Sequence, residues 1–220
     1  MILHVAEICA HALGAENTFV ATEDERIRNV VTAAGFQAVM TSDHCLTGTD
    51  RVSEAAEQIE ADLYVNVQGD EPLLDPLDIR KLVDARLETP GFVINGMTHC
   101  GPREDLASVN IPKVVTNEKD LLVYMSRALI PGTKDLPRKQ GPILKQVCIY
   151  VFSREELRAF TGFGRKSYLE SHEDIEILRF LELGIPIRMV ETSGQSLAVD
   201  VPEDIAPVEN LLRQRRACSV

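Results

Sequence analysis

Long apolar runs are missing from this 220-residue chain. None approaches the roughly 18–20 residues that a membrane-spanning helix needs, which excludes a helical span. Basic residues are outnumbered, 23 Lys and Arg against 34 Asp and Glu, for a net charge of −11 and a pI near 4.9. That balance argues against a nucleic-acid or anionic-membrane surface. It leaves a phosphate ligand open, because local Lys and Arg outweigh screened, distant charge. The cysteines are few and scattered: Cys9, Cys45, Cys100, Cys148 and Cys218. Their odd number and lack of CxxC or zinc-like spacing read as free thiols in a reducing compartment. Met1-Ile2-Leu3 carries neither the basic n-region nor the apolar core of a secretory signal, so a cytoplasmic protein is expected. No internal repeat or low-complexity segment occurs. What remains is ordinary for a soluble globule: 45% hydrophobic residues, a mean hydropathy of −0.05, and enough length for one sizeable domain.

The apolar pattern divides the chain in two. Ile2, Val5, Ala6, Ile8 and Cys9 form a helical stripe over 2–13, stopped near Gly14. Strands are expected at 17–22, 36–40 and 63–67. Helices are expected from 23 to 35, from Thr49 or Asp50 to Ile59, and from Pro76 to Leu87. This alternation predicts an α/β fold with a doubly wound parallel sheet. After Pro90 the rhythm turns to strands, at 92–100, 112–116, 121–125 and 147–152, with a loop at 131–142 rich in Pro, Gly, Lys and Arg. Helices at 154–160, 174–183 and 202–213 and a strand at 187–191 complete the chain. The expectation is one α/β domain over 1–220 with a β-rich insertion at about 92–150.

Val65 to Pro72, VNVQGDEP, carries the strongest chemical signal. An apolar run ends at Gln68-Gly69 and two acids follow, as when a buried parallel strand delivers carboxylates to its ligand-binding edge. Such carboxylates, with substrate phosphates, hold Mg2+. The competing reading is an acidic turn bent at Gly69 and stopped by Pro72. Asp200 follows a second apolar stretch, Leu197-Ala198-Val199, and could meet Asp70 at one metal. Alone it reads as an N-cap ahead of Pro202.

Three further groups qualify. In Thr47-Gly48-Thr49-Asp50-Arg51, hydroxyls and free amides at a helix start favour an anion or a base, with Gly48 permitting close approach. Lys113, Ser126, Arg127 and Lys145 could hold a carboxylate or phosphate, or be ordinary surface charges. Glu170, Glu173 and Glu176 recur at helical spacing and would share one face. His172, between them, reads as exposed, and His4, His11, His44 and His99 have no triad or metal spacing around them.

TGTDRVSEA (47–55), VNVQGDEP, YMSRALIP (124–131), LESHEDIEILRFLELG (169–184) and AVDVPEDI (198–205) together resemble the 3-deoxy-manno-octulosonate cytidylyltransferase (CMP-Kdo synthetase) family, over nearly the whole chain. The resemblance implies a Rossmann-like, GT-A-like nucleotidyltransferase with a parallel or mixed sheet and a dimerisation insertion, hence a homodimer. It implies transfer of a cytidylyl group from CTP to the acidic eight-carbon sugar Kdo, for bacterial lipopolysaccharide. Asp70 and Asp200 would be catalytic and hold Mg2+. Gly48, Thr49 and Arg51 would bind the nucleotide. Gln68, Arg127, Lys145, Gln146, Tyr150 and Glu170 would meet the sugar.

Two departures stand out. The family opens with a strand and a basic Gly/Pro loop ahead of the helix at which this chain starts, so weak CTP binding and slow or absent turnover are expected. Positions commonly His and Tyr are Gln146 and Phe152. That brings an 8-amino analogue or another nonulosonic acid into view as substrate. The alternatives are a non-catalytic, sugar-binding or dimer-forming homologue, and a GT-A-like enzyme using another nucleotide such as UTP.

Overall fold

The computed structural model describes residues 1–102, 104–132, 134, 142–194, 197–199 and 201–218, with side chains up to 215 in the last helix. The first half alternates as the periodicity predicts. Helix α1 (Ile2–Leu13), strand β1 (Phe19–Thr22), α2 (Glu25–Ala33), β2 (Gln37–Met40), α3 (Gly48–Ala56), β3 (Tyr64–Val67) and α4 (Pro76–Glu88) follow in order. Caps fix the helix starts: the side chains of Asp24, Thr47 and Asp75 accept backbone N–H groups at α2, α3 and α4. Strands β1 and β2 form a parallel two-stranded sheet of their own.

The second half contributes β4 (Val93–His99), β5 (Lys113–Thr116), β6 (Leu122–Ser126), β7 (Leu144–Phe152), α5 (Arg154–Gly162), α6 (Tyr168–Glu173), α7 (Leu178–Glu182), β8 (Ile187–Glu191) and α8 (Ile205–Cys218). A six-stranded mixed sheet runs β6-β5-β7-β4-β8, with β3 also on β7. Strand β7 is its spine. One edge pairs with β4 along most of its length. The other pairs with β5 at Leu144 and Lys145 and with β3 from Ile149 to Phe152. Between those partners Gln146 donates its N–H to the Pro112 carbonyl (3.0 Å) and Gln68 donates to the Cys148 carbonyl (3.2 Å), and a gap opens where β5 and β3 part.

Alternation along β7 separates its two faces. Val147, Ile149 and Val151 pack with Leu74, Ile79 and Leu82. Cys148, Tyr150 and Phe152 join the opposite core, where Phe152 stacks on Phe180. Gln146 shares that second face, at the gap.

Three expectations are corrected. Strand β3 runs antiparallel to β7, not parallel to a neighbour. Its apolar run reflects burial on both faces, since Tyr64 enters one core and Val65 and Val67 line the other. Such a run carries no information on strand direction. Strand β7 begins at Leu144 rather than Val147, because Lys145 and Gln146 keep the ladder with β4 while their side chains reach the gap. The helix expected at 174–183 is reduced to α7: α6 ends just before the range, Asp174 takes the left-handed region with φ 50°, and helix resumes only at Leu178. Arg127 stabilises the break by donating from Nε to the Glu173 carbonyl (2.6 Å) and from Nη2 to the Asp174 carbonyl (2.9 Å). Most of the 131–142 loop lies outside the described residues.

Candidate active site

A cavity of about 570 Å³ opens at the gap in the sheet. The exit of β3 brings Gln68 and Asp70 to it. Strand β7 brings Lys145, Gln146 and Tyr150, and Arg127 and Glu170 enter from β6 and α6. Seven of the sequence candidates therefore line one space, drawn from well-separated stretches of the chain between Gln68 and Glu170. Val199 donates its backbone N–H to the Asp70 carbonyl at 2.9 Å, so the 197–199 segment lies against the turn after β3. Asp200 itself lies outside the described residues. No cluster of three or more His, Cys, Asp or Glu among the described residues could hold a metal.

The α3 start lies back from this cavity. Gly48, Thr49 and Arg51 do not line the cavity, whereas Leu46 and Thr47 do. The Thr49 amide donates to the Glu176 side-chain carboxyl at 2.9 Å, so an internal acceptor occupies the helix N-terminus. Arg51 pairs with Glu23 at 2.6 Å and donates to Thr41 Oγ1 at 2.7 Å. These partners turn its guanidinium toward the β1 and β2 ends.

The break at Asp174 sets Glu176 apart from Glu170 and Glu173, and each of the three has its own partners. Glu170, 1% exposed, accepts from Arg179 at 2.6 and 2.7 Å and from the Ser167 amide at 2.9 Å. Arg179 also reaches Asp50 at 3.0 Å and lies 3.7 Å from the Phe160 ring centroid. Glu170 is thus a member of a buried charge triad as well as a wall of the cavity. Glu173 accepts from Ser126 Oγ (2.7 Å), the Arg127 amide (2.9 Å) and Tyr124 OH (3.2 Å). Burial raises its pKa, but these hydrogen bonds outweigh burial and hold it below the usual glutamate value. Glu176 accepts from Thr49 and, at 3.0 Å, from Gln68 Nε2. Desolvation dominates there, and its pKa is raised.

The basic cluster is also committed to internal partners. Lys113 is fully buried and donates to the Ser108 and Arg127 carbonyls, both at 2.6 Å; burial lowers its pKa. Lys145 pairs with Glu104. Besides its two bonds at the α6 break, Arg127 donates from Nη1 to the Val109 carbonyl at 2.8 Å. Lys145 is thus offset by a carboxylate, whereas the donors of Lys113 and Arg127 are spent on neutral carbonyls that leave their charge in place.

Beneath the cavity lies a polar chain that sequence reading missed. The β4–β7 register shifts between Asn95 and Gly96. Asn95, fully buried, answers the irregularity by donating from Nδ2 to the Val147 (3.0 Å) and Ile149 (2.9 Å) carbonyls. Its Oδ1 accepts from Gln146 Nε2 at 2.9 Å, and the same Nε2 lies 3.2 Å from Tyr150 OH. Burial pushes the Tyr150 phenol and the Cys148 thiol well above their usual pKa values, so both are neutral. A signal existed for Asn95: a lone amide inside the apolar run Phe92 to Met97. Glu71, 4% exposed, was legible in QGDEP but given no role; it accepts from the Cys148 amide at 3.3 Å and so spans the gap.

The cytidylyltransferase family profile matches residues 1–189. A 3-deoxy-manno-octulosonate cytidylyltransferase of Trichlorobacter lovleyi is 38% identical, over 97% of this chain and 88% of its own. The enzyme of that name from Escherichia coli is 33% identical, over 99% of this chain and 87% of its own. The solved structure of CMP:2-keto-3-deoxy-manno-octonic acid synthetase complexed with CTP superposes with a TM-score of 0.87 at 34% identity, over 97% of this chain and 88% of that one. An inositol-1-phosphate CTP transferase from T. maritima shares the fold alone, with a TM-score of 0.53 at 16% identity over 82% of this chain and 66% of its own.

Proposed function

The chain belongs to the cytidylyltransferase family, and from that premise we propose that it activates Kdo or a closely related acidic ulosonate, converting CTP and the sugar into the CMP-sugar and diphosphate for lipopolysaccharide. The observation that carries the reading is the cavity at the β3 exit, lined by Gln68 and Asp70, in a fold superposing at a TM-score of 0.87 on a synthetase bound to CTP. The sugar's anomeric hydroxyl attacks the α-phosphorus and diphosphate leaves in line. Such a transfer depends on positioning and charge neutralisation rather than on a covalent enzyme intermediate.

The residues divide the work by chemistry. Hydroxyls and amides around Thr47 and Gln68 orient neutral polar groups of the ligands. Arg127 and Lys145 supply cationic donors to anionic ones. The donor set at the β3 exit suits a hard divalent cation: Asp70 is a carboxylate beside the segment leading to Asp200, and substrate phosphates would complete the shell. Mg2+ held there would screen phosphate charge and lower the pKa of the attacking hydroxyl. The reading includes a homodimer, supported by β6 lying at a sheet edge with Val123 exposed on it, and a cytoplasmic setting. No described helix is long and apolar enough to cross a membrane.

The test is diphosphate release from each of CTP, UTP, ATP and GTP, with Mg2+ and a panel of ulosonic acids. Release is expected with CTP and Kdo or a near analogue. No sugar-dependent release with CTP, or a preference for another nucleotide, would overturn the assignment.

A further inference from the structure

We infer that Gln146 reads the sugar as a hydrogen-bond acceptor: its side-chain carbonyl faces the cavity and takes a proton from a sugar hydroxyl, and it does not bind the sugar's carboxylate. The inference rests on the functional reading above for the identity of the ligand. The orientation of the amide rests on the fold alone.

The orientation follows from a chain of fixed polarities. Carboxamide N and O are assigned from their partners. Asn95 touches two backbone carbonyls, of Val147 and Ile149, which only accept; the atom facing them must be the Nδ2 donor. Its other atom, Oδ1, is therefore an acceptor. The Gln146 atom 2.9 Å from it must in turn be a donor, Nε2. Turning the Gln146 amide over would set two carbonyl oxygens against each other at that distance. The second Nε2 proton points to Tyr150 OH at 3.2 Å, a phenol kept neutral by burial. Both Nε2 protons are occupied below the cavity floor. No donor among the described residues reaches Gln146 Oε1, although the residue lines the cavity and is only half-buried.

A site with a fixed acceptor and no spare donor selects its ligand by charge and by polarity. A carboxylate placed there would meet a carbonyl dipole of the wrong sign, whereas a hydroxyl would meet its complement. Asn95 is a positioning residue in this scheme: it never touches the sugar, but it sets which end of Gln146 does. The irregularity in the β4–β7 ladder is what exposes the two carbonyls that lock Asn95.

Two measurements test this. In the first, the Gln146 side-chain NH2 is followed by hydrogen exchange in 15N-labelled protein without and with Kdo. Slow exchange is expected before sugar is added and is unchanged afterwards. Free exchange, or protection that appears only with sugar, would mean that Nε2 faces the cavity and would overturn the inference. In the second, calorimetry compares the binding of Kdo and of its singly deoxygenated analogues to wild type and to Gln146→Met. A neutral hydrogen bond is worth about tenfold in affinity. One analogue should lose about that factor in wild type and nothing further in the variant, whose affinity for Kdo is already lower by the same factor. Equal losses for every analogue in both proteins would overturn it. Should Kdo fail to bind wild type, the functional reading falls, and the exchange data still decide the amide's orientation independently of it.

Discussion

Glu176 accepts a hydrogen bond from the backbone amide of Thr49 at 2.9 Å, across 127 residues of sequence. The same carboxylate takes Gln68 Nε2 at 3.0 Å. One buried carboxyl group thereby joins the N-terminus of α3 to the exit of β3.

Its titration gives the first prediction. Burial raises the Glu176 pKa, with the hydrogen bonds from Thr49, Thr47 and Gln68 opposing it. A raised folded-state value means the native protein holds this proton where the unfolded chain, at about 4.3, has lost it. The group's stabilising contribution is fully present below the unfolded value and is lost as pH rises through the folded one. Glu176→Gln lacks this dependence. The melting temperature of the variant relative to wild type should therefore climb between pH 4 and pH 7, measured by calorimetry in parallel buffers. A difference that is flat or falls with pH would refute a raised value.

Arg179 is the counter-ion of two buried carboxylates, Asp50 and Glu170. Arg179→Met keeps much of the side-chain volume over Phe160 but leaves both acids unpaired. Removing one partner of a buried pair costs about 3–5 kcal/mol. Urea unfolding should show a loss of that size with an unchanged m-value. A loss under about 1 kcal/mol, as for exposed pairs, would mean the triad is solvated.

Asp70 stands at the β3 exit within the cavity. Asp70→Ala should lower CTP-dependent diphosphate release on the order of 100-fold or more, with an unchanged far-ultraviolet circular dichroism spectrum. Wild-type rates in this variant would relocate the metal.

Arg127 closes three backbone carbonyls, those of Val109, Glu173 and Asp174, beside the cavity. Arg127→Ala should reduce stability by about 2–4 kcal/mol, since hydrogen bonds from a charged group contribute about 1.5–3 each and are not additive. It should also raise KM for the sugar more than KM for CTP. Equal changes in both constants would make Arg127 a purely structural clamp.

Much of this was legible in the chain. The helical stripe of Ile2 to Leu13 and the strand ending in QGDEP were readable, because neighbours a few residues apart determine amphipathic period and turn chemistry. Seven of the candidate residues line one cavity, a grouping that motifs suggested and no local signal of proximity could have. The glutamates at 170, 173 and 176 show the limit. Their spacing predicted a shared face, but helix α6 ends between Glu173 and Glu176, where Arg127, from another element, holds the carbonyls of Glu173 and Asp174. Arg51 shows it again: no local pattern points to Glu23, between β1 and α2, as its ion-pair partner.

The sequence by itself determined the composition class, the order of strands and helices and the family. It also marked the acids that follow β3. Tertiary structure alone decided that β3 runs antiparallel to β7, that Asp50 and Glu170 turn inward to Arg179, and which end of the Gln146 amide meets a ligand. Local pattern depends on side chains within a turn or two. Polarity and pairing depend on what packing brings across, and Asp50 and Arg179, 129 positions apart, are bridged only when the helices that carry them pack into a common core.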